Sequence, residues 1–163
     1  MATVIPTAVF DCNIYLQGLL SRSGPARACV DLLFTEQITV FTSNKIIEEL
    51  ADVLNRTSLV RKFSRRITDE FRTAYIEQII SKTTVRSARH VFDFPRDPND
   101  EPYLDLFIER AAEYLVTRDN DLLDLQSEED SENASMLKHQ AQGTIVSPPQ
   151  FLNCIRDTRG PNQ

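Results

Sequence analysis

Carboxylates recur in this 163-residue chain where apolar segments end. Asp11 directly follows the apolar run "AVF", and Asp119 and Asp121 follow "YLVT". The segment "RDPND" adds Asp97 and Asp100 ahead of an apolar helical pattern. Acids from distant segments converge only if their charge is neutralised, and a hard divalent cation with oxygen ligands does so. The candidate chemistry is therefore that of a metal site built from carboxylates.

Helical periodicity adds Glu49 to this set. Successive helix residues turn by about 100°, so in "NKIIEELADVL" Glu48 points away from the apolar stripe while Glu49 lies at its border. In "DEPYLDLFIERAA" the stripe, extended back by one turn, places Asp100 on the inward face with Glu101 at its edge. An aspartate that faces the core is costly unless it is paired or binds a metal.

The elements that must position these acids alternate between two patterns. Strand patterns occupy residues 3–11, 37–43, 113–117 and 143–147, and a further extended segment occupies 89–95. Helical patterns occupy residues 13–20, 24–34, 43–56, 57–63, 67–83, 101–112 and 148–157. This alternation predicts an α/β fold with a largely parallel sheet. Such sheets carry their functional groups at the carboxyl ends of the strands, so Asp11 and Asp119 are expected at the same edge.

Each acid taken alone also has an ordinary structural role. Asp11 is typical of a turn or a helix N-cap, and Glu49 of a solvated helix residue. Asp97 and Asp100 could cap a helix and favour its dipole. The two acids after "YLVT" could cap the short helix "NDLLDL". The metal site is favoured by the combination of these acids and by none of them singly.

Composition and charge restrict the class of protein. Hydrophobic residues make up 41% and charged residues 26%, which is ordinary for a folded globular chain. The net charge of −6 argues against a protein that holds nucleic acid through a broad basic field. It leaves open a nuclease whose contact with phosphate runs through metal ions held by carboxylates.

The three cysteines and the absence of long apolar runs bear on location and domain organisation. Cys12, Cys29 and Cys154 match neither a disulfide framework nor a zinc knuckle, which favours a reducing cytoplasm and near-core thiols. No apolar run approaches the roughly 18 residues that span a bilayer, and neither a signal peptide nor a membrane partner is expected. We expect one domain over residues 1–157 and a polar tail at 158–163.

The order of the motifs resembles a known family. The segments "VFDCN", "SNKIIEELADVL", "RDPNDEPYLDLFIERAAEYLVTRDNDLL" and "TIVSPPQFL" are similar to the PIN-domain ribonucleases, in particular to the VapC-like toxins of type II toxin–antitoxin systems. The resemblance implies a PIN-like α/β/α sandwich with a central, mainly parallel sheet of about four to five strands. It also implies an endoribonuclease that depends on Mg²⁺ or Mn²⁺, cleaves an RNA substrate, forms a homodimer and binds a cognate antitoxin.

The same resemblance implies roles for individual residues. Four acids would be the catalytic residues and the metal ligands: Asp11, Glu49, Asp100 and Asp119. Four further residues would be supporting groups that orient ligands or water: Asn13, Ser43, Asp97 and Asp121. The chain departs from the family pattern at Cys12, where Thr is usual, and at Ala111, where Gly is usual. The acidic insertion at 126–142 is expected to be a loop or a solvated helix, with no role assigned.

Three other interpretations remain to be weighed. A phosphatase that uses an aspartyl phosphate needs a second aspartate two places after the first, where this chain has Asn13. A phospho-receiver domain needs a pair of acids early in the chain, and the first ten residues contain none. The third is a catalytically idle PIN-like module that only binds a partner. The basic run at 60–66 fits a solvated helix surface, with an RNA or antitoxin contact as the alternative.

Overall fold

The computed structural model describes residues 3–63, 65–127 and 131–160. Within these ranges no helix is both long enough and apolar enough to cross a membrane. The described strands are β1 Thr7–Phe10, β2 Thr39–Thr42, β3 Thr84–Val85, β4 Tyr114–Val116 and β5 Thr144–Val146. The described helices are α1 Cys12–Leu20, α2 Pro25–Phe34, α3 Asn44–Leu54, α4 Thr57–Phe63, α5 Asp69–Lys82, α6 Glu101–Glu109, α7 Asn120–Ser127, α8 Glu132–Gln140 and α9 Pro148–Arg159. A short 3-10 helix, Pro98–Asp100, precedes α6.

The five strands form one sheet in the order β3-β2-β1-β4-β5, and every pairing in it is parallel. β1 is the central strand, with β2 on one side and β4 on the other. Helices flank the sheet, and α6 packs on β1 and β4 while α9 packs on β4. The α/β fold predicted from the alternating patterns is confirmed.

The middle of the sheet is buried because its strands are apolar on both faces. Residues 8–10 of β1 have no exposed surface, as expected for a parallel strand covered by helices on both sides. Phe151 of α9 packs edge-on against Phe10 and Tyr114, with ring centroids 5.9 and 5.3 Å apart. These are distances at which aromatic pairs attract. The packing fixes β1 and β4, the two strands whose ends carry candidate acids.

The segment between α5 and α6 differs from the expectation. The helical pattern predicted to run to residue 83 ends at Lys82. Thr83 is the C-cap, and Thr84–Val85 form β3 at the sheet edge. The segment expected to be extended, 89–95, joins no strand. The backbone N–H groups of Val91 and Phe92 donate instead to the carboxylate of Asp105, at 2.9 and 3.0 Å. A side chain from α6 thus takes hydrogen bonds that a neighbouring strand would otherwise take.

The described part of the insertion at 126–142 is mostly helical, since it comprises the end of α7 and all of α8. Its residues 128–130 lie outside the described residues, and α8 begins after Ser131, whose hydroxyl accepts from the N–H of Ala134 at 3.0 Å. Ala134 and Leu137 are buried, and α8 packs against α7. Of the two alternatives for this segment, the structure shows the helix, with one face packed rather than fully solvated.

Ala111 shows what the departure from the family pattern costs. It has a φ of +47°, in the left-handed region, at the turn that joins α6 to β4. Glycine adopts this conformation without a steric penalty, whereas a residue with a Cβ pays about 1 kcal/mol or more. The glycine that the resemblance implies for this position therefore has a backbone reason, and this chain carries strain there.

Candidate active site

The central pair of strands brings Asp11 and the end of β4 together. The Asp11 N–H donates to the Val116 carbonyl at 3.0 Å, which extends the β1–β4 ladder by one residue. Asp11 then caps α1, because its Oδ1 accepts from the Asn13 N–H at 3.2 Å. Connections from β1 and β4 lead toward opposite edges of the sheet. Asp11 therefore lies where the strand order reverses, the position at which parallel α/β sheets bind ligands.

Thr117 links Asp11 to Asp119. Its side chain has no exposed surface, and its hydroxyl donates to Asp11 Oδ2 at 2.7 Å. The same hydroxyl oxygen accepts from the Asp119 N–H at 3.0 Å. One buried threonine thus orients both acids, and sequence reasoning assigned it no role. The sequence feature that could have indicated this role is a threonine at the end of a buried strand, two places before an aspartate.

Asp119 and two further carboxylates form a tight cluster at the same edge. Ligand oxygens of Asp97, Asp100 and Asp119 all lie within 4.8 Å of one another. Local capping positions two of them: Asp97 accepts from the Asn99 N–H at 3.0 Å, and Asp119 accepts from the Asp121 N–H at 2.9 Å. Capping and clustering therefore coexist, and the ordinary structural role of each acid does not exclude the functional one.

Burial and mutual repulsion change the protonation of the cluster. Burial, followed by the negative charges of Asp119, Asp97 and Asp11, raises the pKa of Asp100 to about 8. The pKa of Asp11 is also raised, chiefly by burial, while the hydrogen bonds from Thr117 and Asn13 act in the opposite direction. Without a cation the acids of this cluster resist full ionisation, and Asp100 keeps its proton to a higher pH than a free carboxyl group does.

The residues fit a hard divalent cation. Asp100 is only 7% exposed, and its Oδ2 has no hydrogen-bond partner among the described residues. A buried carboxylate oxygen without a donor is costly unless another group satisfies it. The surrounding ligand atoms are carboxylate oxygens, the type that Mg²⁺ and Mn²⁺ prefer. Asp97, Asp100 and Asp119 could hold such an ion, with Asp11 oriented toward them by Thr117.

The protonation of Asp100 leads to a stability prediction. A folded-state pKa of about 8, above the ordinary 3.8, means that stability is full below pH 4 and falls as pH rises through about 8. Asp100→Asn mimics the protonated form, so in a chelator it should stabilise the protein above pH 8 by about 1 kcal/mol, or about 2–4 °C in melting temperature. Near pH 4 the gain should vanish. The exposed Asp52→Asn is the control, and a gain that did not grow with pH would contradict the prediction.

Glu49 lies near Asp11, whose pKa its charge helps to raise, and is held by a tyrosine. Glu49 is half-buried and Glu48 is exposed, as the helical periodicity indicates. The hydroxyl of Tyr103, on α6, donates to Glu49 Oε2 and accepts from the Cys12 N–H, the latter at 3.2 Å. The charges of Glu49 and Asp11 add to burial in raising the pKa of the Cys12 thiol to about 12. Tyr103 is buried within α6, yet its hydroxyl orients Glu49.

The four residues predicted to support the site differ in how close they lie to the acidic cluster. Asn13 is exposed, and its backbone N–H binds Asp11. The Ser43 hydroxyl accepts from the Ile46 N–H at 3.3 Å and so caps α3. The carboxylate of Asp121 lies 3.9 Å from an Arg96 guanidinium nitrogen. Asp97 is the one supporting residue that the structure places within the cluster itself.

Comparison with known proteins assigns the family. A family model described as "PIN domain" matches residues 7–121. The chain belongs to the PIN domain family. The matched residues run from β1 to the start of α7 and include every acid of the cluster.

PIN domains are generally nucleases that act on RNA and usually use divalent metals, and an activity of the nuclease type fits this acidic site. The PIN domain is also 27% identical over 145 residues, 88% of each chain, to the "Uncharacterized protein MJ1680" of Methanocaldococcus jannaschii.

Proposed function

We propose that this PIN domain is a divalent-metal-dependent endoribonuclease that hydrolyses RNA phosphodiester bonds with Mg²⁺ or Mn²⁺. The observation that supports it most is the buried, unpartnered Asp100 oxygen within a cluster of carboxylates at the switch point of the sheet. Of the four predicted ligands, Asp100 and Asp119 would hold the metal together with Asp97. Asp11 and Glu49, which lie outside that cluster, would complete the site or reach a second ion. A bound cation would lower the pKa of a water molecule and neutralise charge on the scissile phosphate.

The protein's own groups would prepare the site for this reaction. Thr117 joins the Asp11 carboxylate to the backbone of Asp119, and the Tyr103 hydroxyl joins Glu49 to the backbone of Cys12, next to Asp11. Asp100 releases its proton as the cation binds, so the apparent metal affinity should rise with pH toward about 8. Without a cation the cluster repels the phosphates of RNA. Metal binding would therefore prepare the chemistry and also permit the substrate to approach.

A pool of mixed RNA tests the proposal. Wild-type protein should cleave it with Mn²⁺ or Mg²⁺ and not with a chelator, and Asp11→Asn should be inactive under both conditions. If the wild type bound Mn²⁺ and a protein partner without cleaving any RNA, the chain would be the catalytically idle module instead.

Glu49 and Glu48 form a matched pair for a second prediction. Glu49→Gln keeps an oxygen that accepts from Tyr103 and removes only the charge, so cleavage should fall at least about tenfold, or about 1.4 kcal/mol of transition-state stabilisation. Glu48→Gln, at an exposed position one residue away, should be close to neutral. Steady-state kcat/KM on one RNA measures both. Greater sensitivity at Glu48 would show that the assignment of the helix face to the site is wrong.

We also propose that the nuclease is the toxin of a type II toxin–antitoxin pair, cytoplasmic and homodimeric. The support is the resemblance of the motif order to VapC-like toxins. An arginine or lysine of the cognate antitoxin would pair with Asp11, Asp100 and Asp119 through charge-assisted hydrogen bonds and so replace the cation. An apolar helix of the antitoxin would lie beside α1 and α3.

Co-expression tests this part separately. The product of the neighbouring gene should relieve growth inhibition and form a stable complex with the PIN domain. Replacing the basic residue of the partner that faces the pocket should abolish both effects. A neighbouring product that neither bound nor protected would remove the toxin assignment and leave the nuclease.

A further inference from the structure

A cleft of about 560 Å³ opens beside the acidic site. One wall is the start of α3, residues 43–45. A second wall is residues 85–88, which begin with the last residue of β3. The third wall is the start of α6, with Pro98, Glu101 and Pro102. Pro98 and Glu101 flank Asp100 in sequence, so the cleft adjoins the acidic cluster. Its volume falls within the range of small-molecule sites in proteins.

The α6 wall is built by hydrogen bonds to a buried acid. Asp105 is 7% exposed, and its Oδ2 lies 3.0 Å from Nδ1 of His90. Its other oxygen accepts from two backbone N–H groups of the segment 86–95. Glu101 accepts from the Phe94 N–H at 3.0 Å. These contacts hold the segment against α6. The carboxylates of Asp105 and Glu101 therefore already accept hydrogen bonds from donors of the protein itself.

The cations on the facing walls are not occupied in this way. Lys45 and Arg86 line the cleft, and in the described part of the chain neither has a carboxylate within ion-pair distance. Arg27 and Lys82, by contrast, each have an acidic partner. Arg86 Nη1 donates to the Val85 carbonyl at 2.9 Å, which leaves its positive charge unbalanced by any acid of the described residues. Two cations without an acidic partner there, in one cleft of a protein of net charge −6, indicate an anionic ligand for this cleft.

We infer that this cleft is the subsite for the nucleotide adjacent to the scissile phosphate, with that nucleotide's phosphate on Lys45 and Arg86. Its base lies against Pro98, Pro102 and the imidazole of His90. The ring nitrogens of His90 are held by Asp105 and Asp93, and histidine is among the side chains on which unstacked bases pack. The cleft then determines which base stands beside the cut. This inference rests on the proposed nuclease function.

Kinetics of two variants test the subsite. Lys45→Ala and Arg86→Ala should each raise KM for RNA about tenfold with kcat nearly unchanged, because they remove binding that ground state and transition state share. The double variant should also change the profile of cleaved sequences. Lys138→Ala and Arg22→Ala remove exposed cations outside the cleft lining and should change neither. Unchanged KM and an unchanged profile in an active enzyme would overturn the subsite and leave the nuclease standing.

Binding measured without cleavage separates failure of the subsite from failure of the nuclease. The anisotropy of a fluorescent single-stranded RNA on Asp11→Asn, over a series of salt concentrations, should give a slope of log affinity against log salt that falls by about 0.7 for each cation removed from the cleft. If the wild type cut no RNA but these slopes changed, the proposed nuclease would fail and the cleft would stand as an RNA-binding site only. Equal slopes in all variants, or a loss of affinity only for an acidic protein partner, would overturn it.

Discussion

Asp11→Asn and Asp119→Asn should each lower metal-dependent RNA cleavage by at least about 10³-fold, or about 4 kcal/mol of transition-state stabilisation. Asp11 and Asp119 are oriented by the same Thr117 hydroxyl, so removing either charge alters the ligand set on which the cation depends. The amide keeps the size of the side chain and one acceptor oxygen. At position 119 that oxygen can keep the bond from the Asp121 N–H, and at position 11 it can keep one of the two bonds, from the Asn13 N–H or from the Thr117 hydroxyl. The loss should therefore appear in catalysis and metal affinity, and not in folding.

Single-turnover cleavage with saturating Mn²⁺ measures this effect, and thermal unfolding in a chelator checks the fold. Removing one carboxylate from a repulsive cluster should leave the metal-free protein at least as stable as the wild type. The exposed Asp52→Asn, on α3, is the matched control and should keep full activity. Full activity in Asp11→Asn, or unfolding of both variants, would count against these residues as ligands.

Thr117→Val should lower kcat/KM about 10- to 100-fold, the usual cost of removing a group that orients metal ligands. Valine nearly keeps the shape of threonine but takes the donor from Asp11 Oδ2 and the acceptor from the Asp119 N–H. Each buried group left without its partner costs about 1–3 kcal/mol, so the metal-free protein should also lose stability. Calorimetric titration with Mn²⁺ should show weaker binding.

Thr117→Ser provides the rescue for that prediction. Serine keeps the hydroxyl and removes one methyl group, so activity and Mn²⁺ affinity should return close to the wild-type values. A purely structural role for Thr117 would instead make the serine variant, which leaves a small cavity, behave like the valine variant or worse. An active valine variant would show that Thr117 does not orient the two acids.

The positions of Asp11 and Asp119 could be predicted from the sequence because they follow from a topological rule. Asp11 directly follows the apolar run of β1, and Asp119 follows that of β4 by three residues. In a parallel sheet such positions meet at one edge. The half-buried position of Glu49 next to the exposed Glu48 follows from helical periodicity alone. In each case the information is local, since it lies within about one strand or one helix of the residue concerned.

The contacts that complete the site could not be predicted in this way. Thr117 lies 106 residues from Asp11, and Tyr103 lies 54 residues from Glu49, so neither hydrogen bond has a local signature. β3 has two residues, too few for a strand pattern to appear. The cleft depends on Asp105, whose carboxylate takes backbone donors that a strand pairing would otherwise use. In the sequence, the presence of an aspartate at position 105 gave no indication of that contact.

The chemical ends of the RNA products test the central claim most directly. If the carboxylates hold a cation that activates water, cleavage of a 5′-labelled RNA should require Mn²⁺ or Mg²⁺ and leave a linear phosphate on one product and a hydroxyl on the other. The Asp11→Asn variant should form neither of these two products. Products that end in a 2′,3′-cyclic phosphate, formed equally well in a chelator and by Asp11→Asn, would contradict the claim.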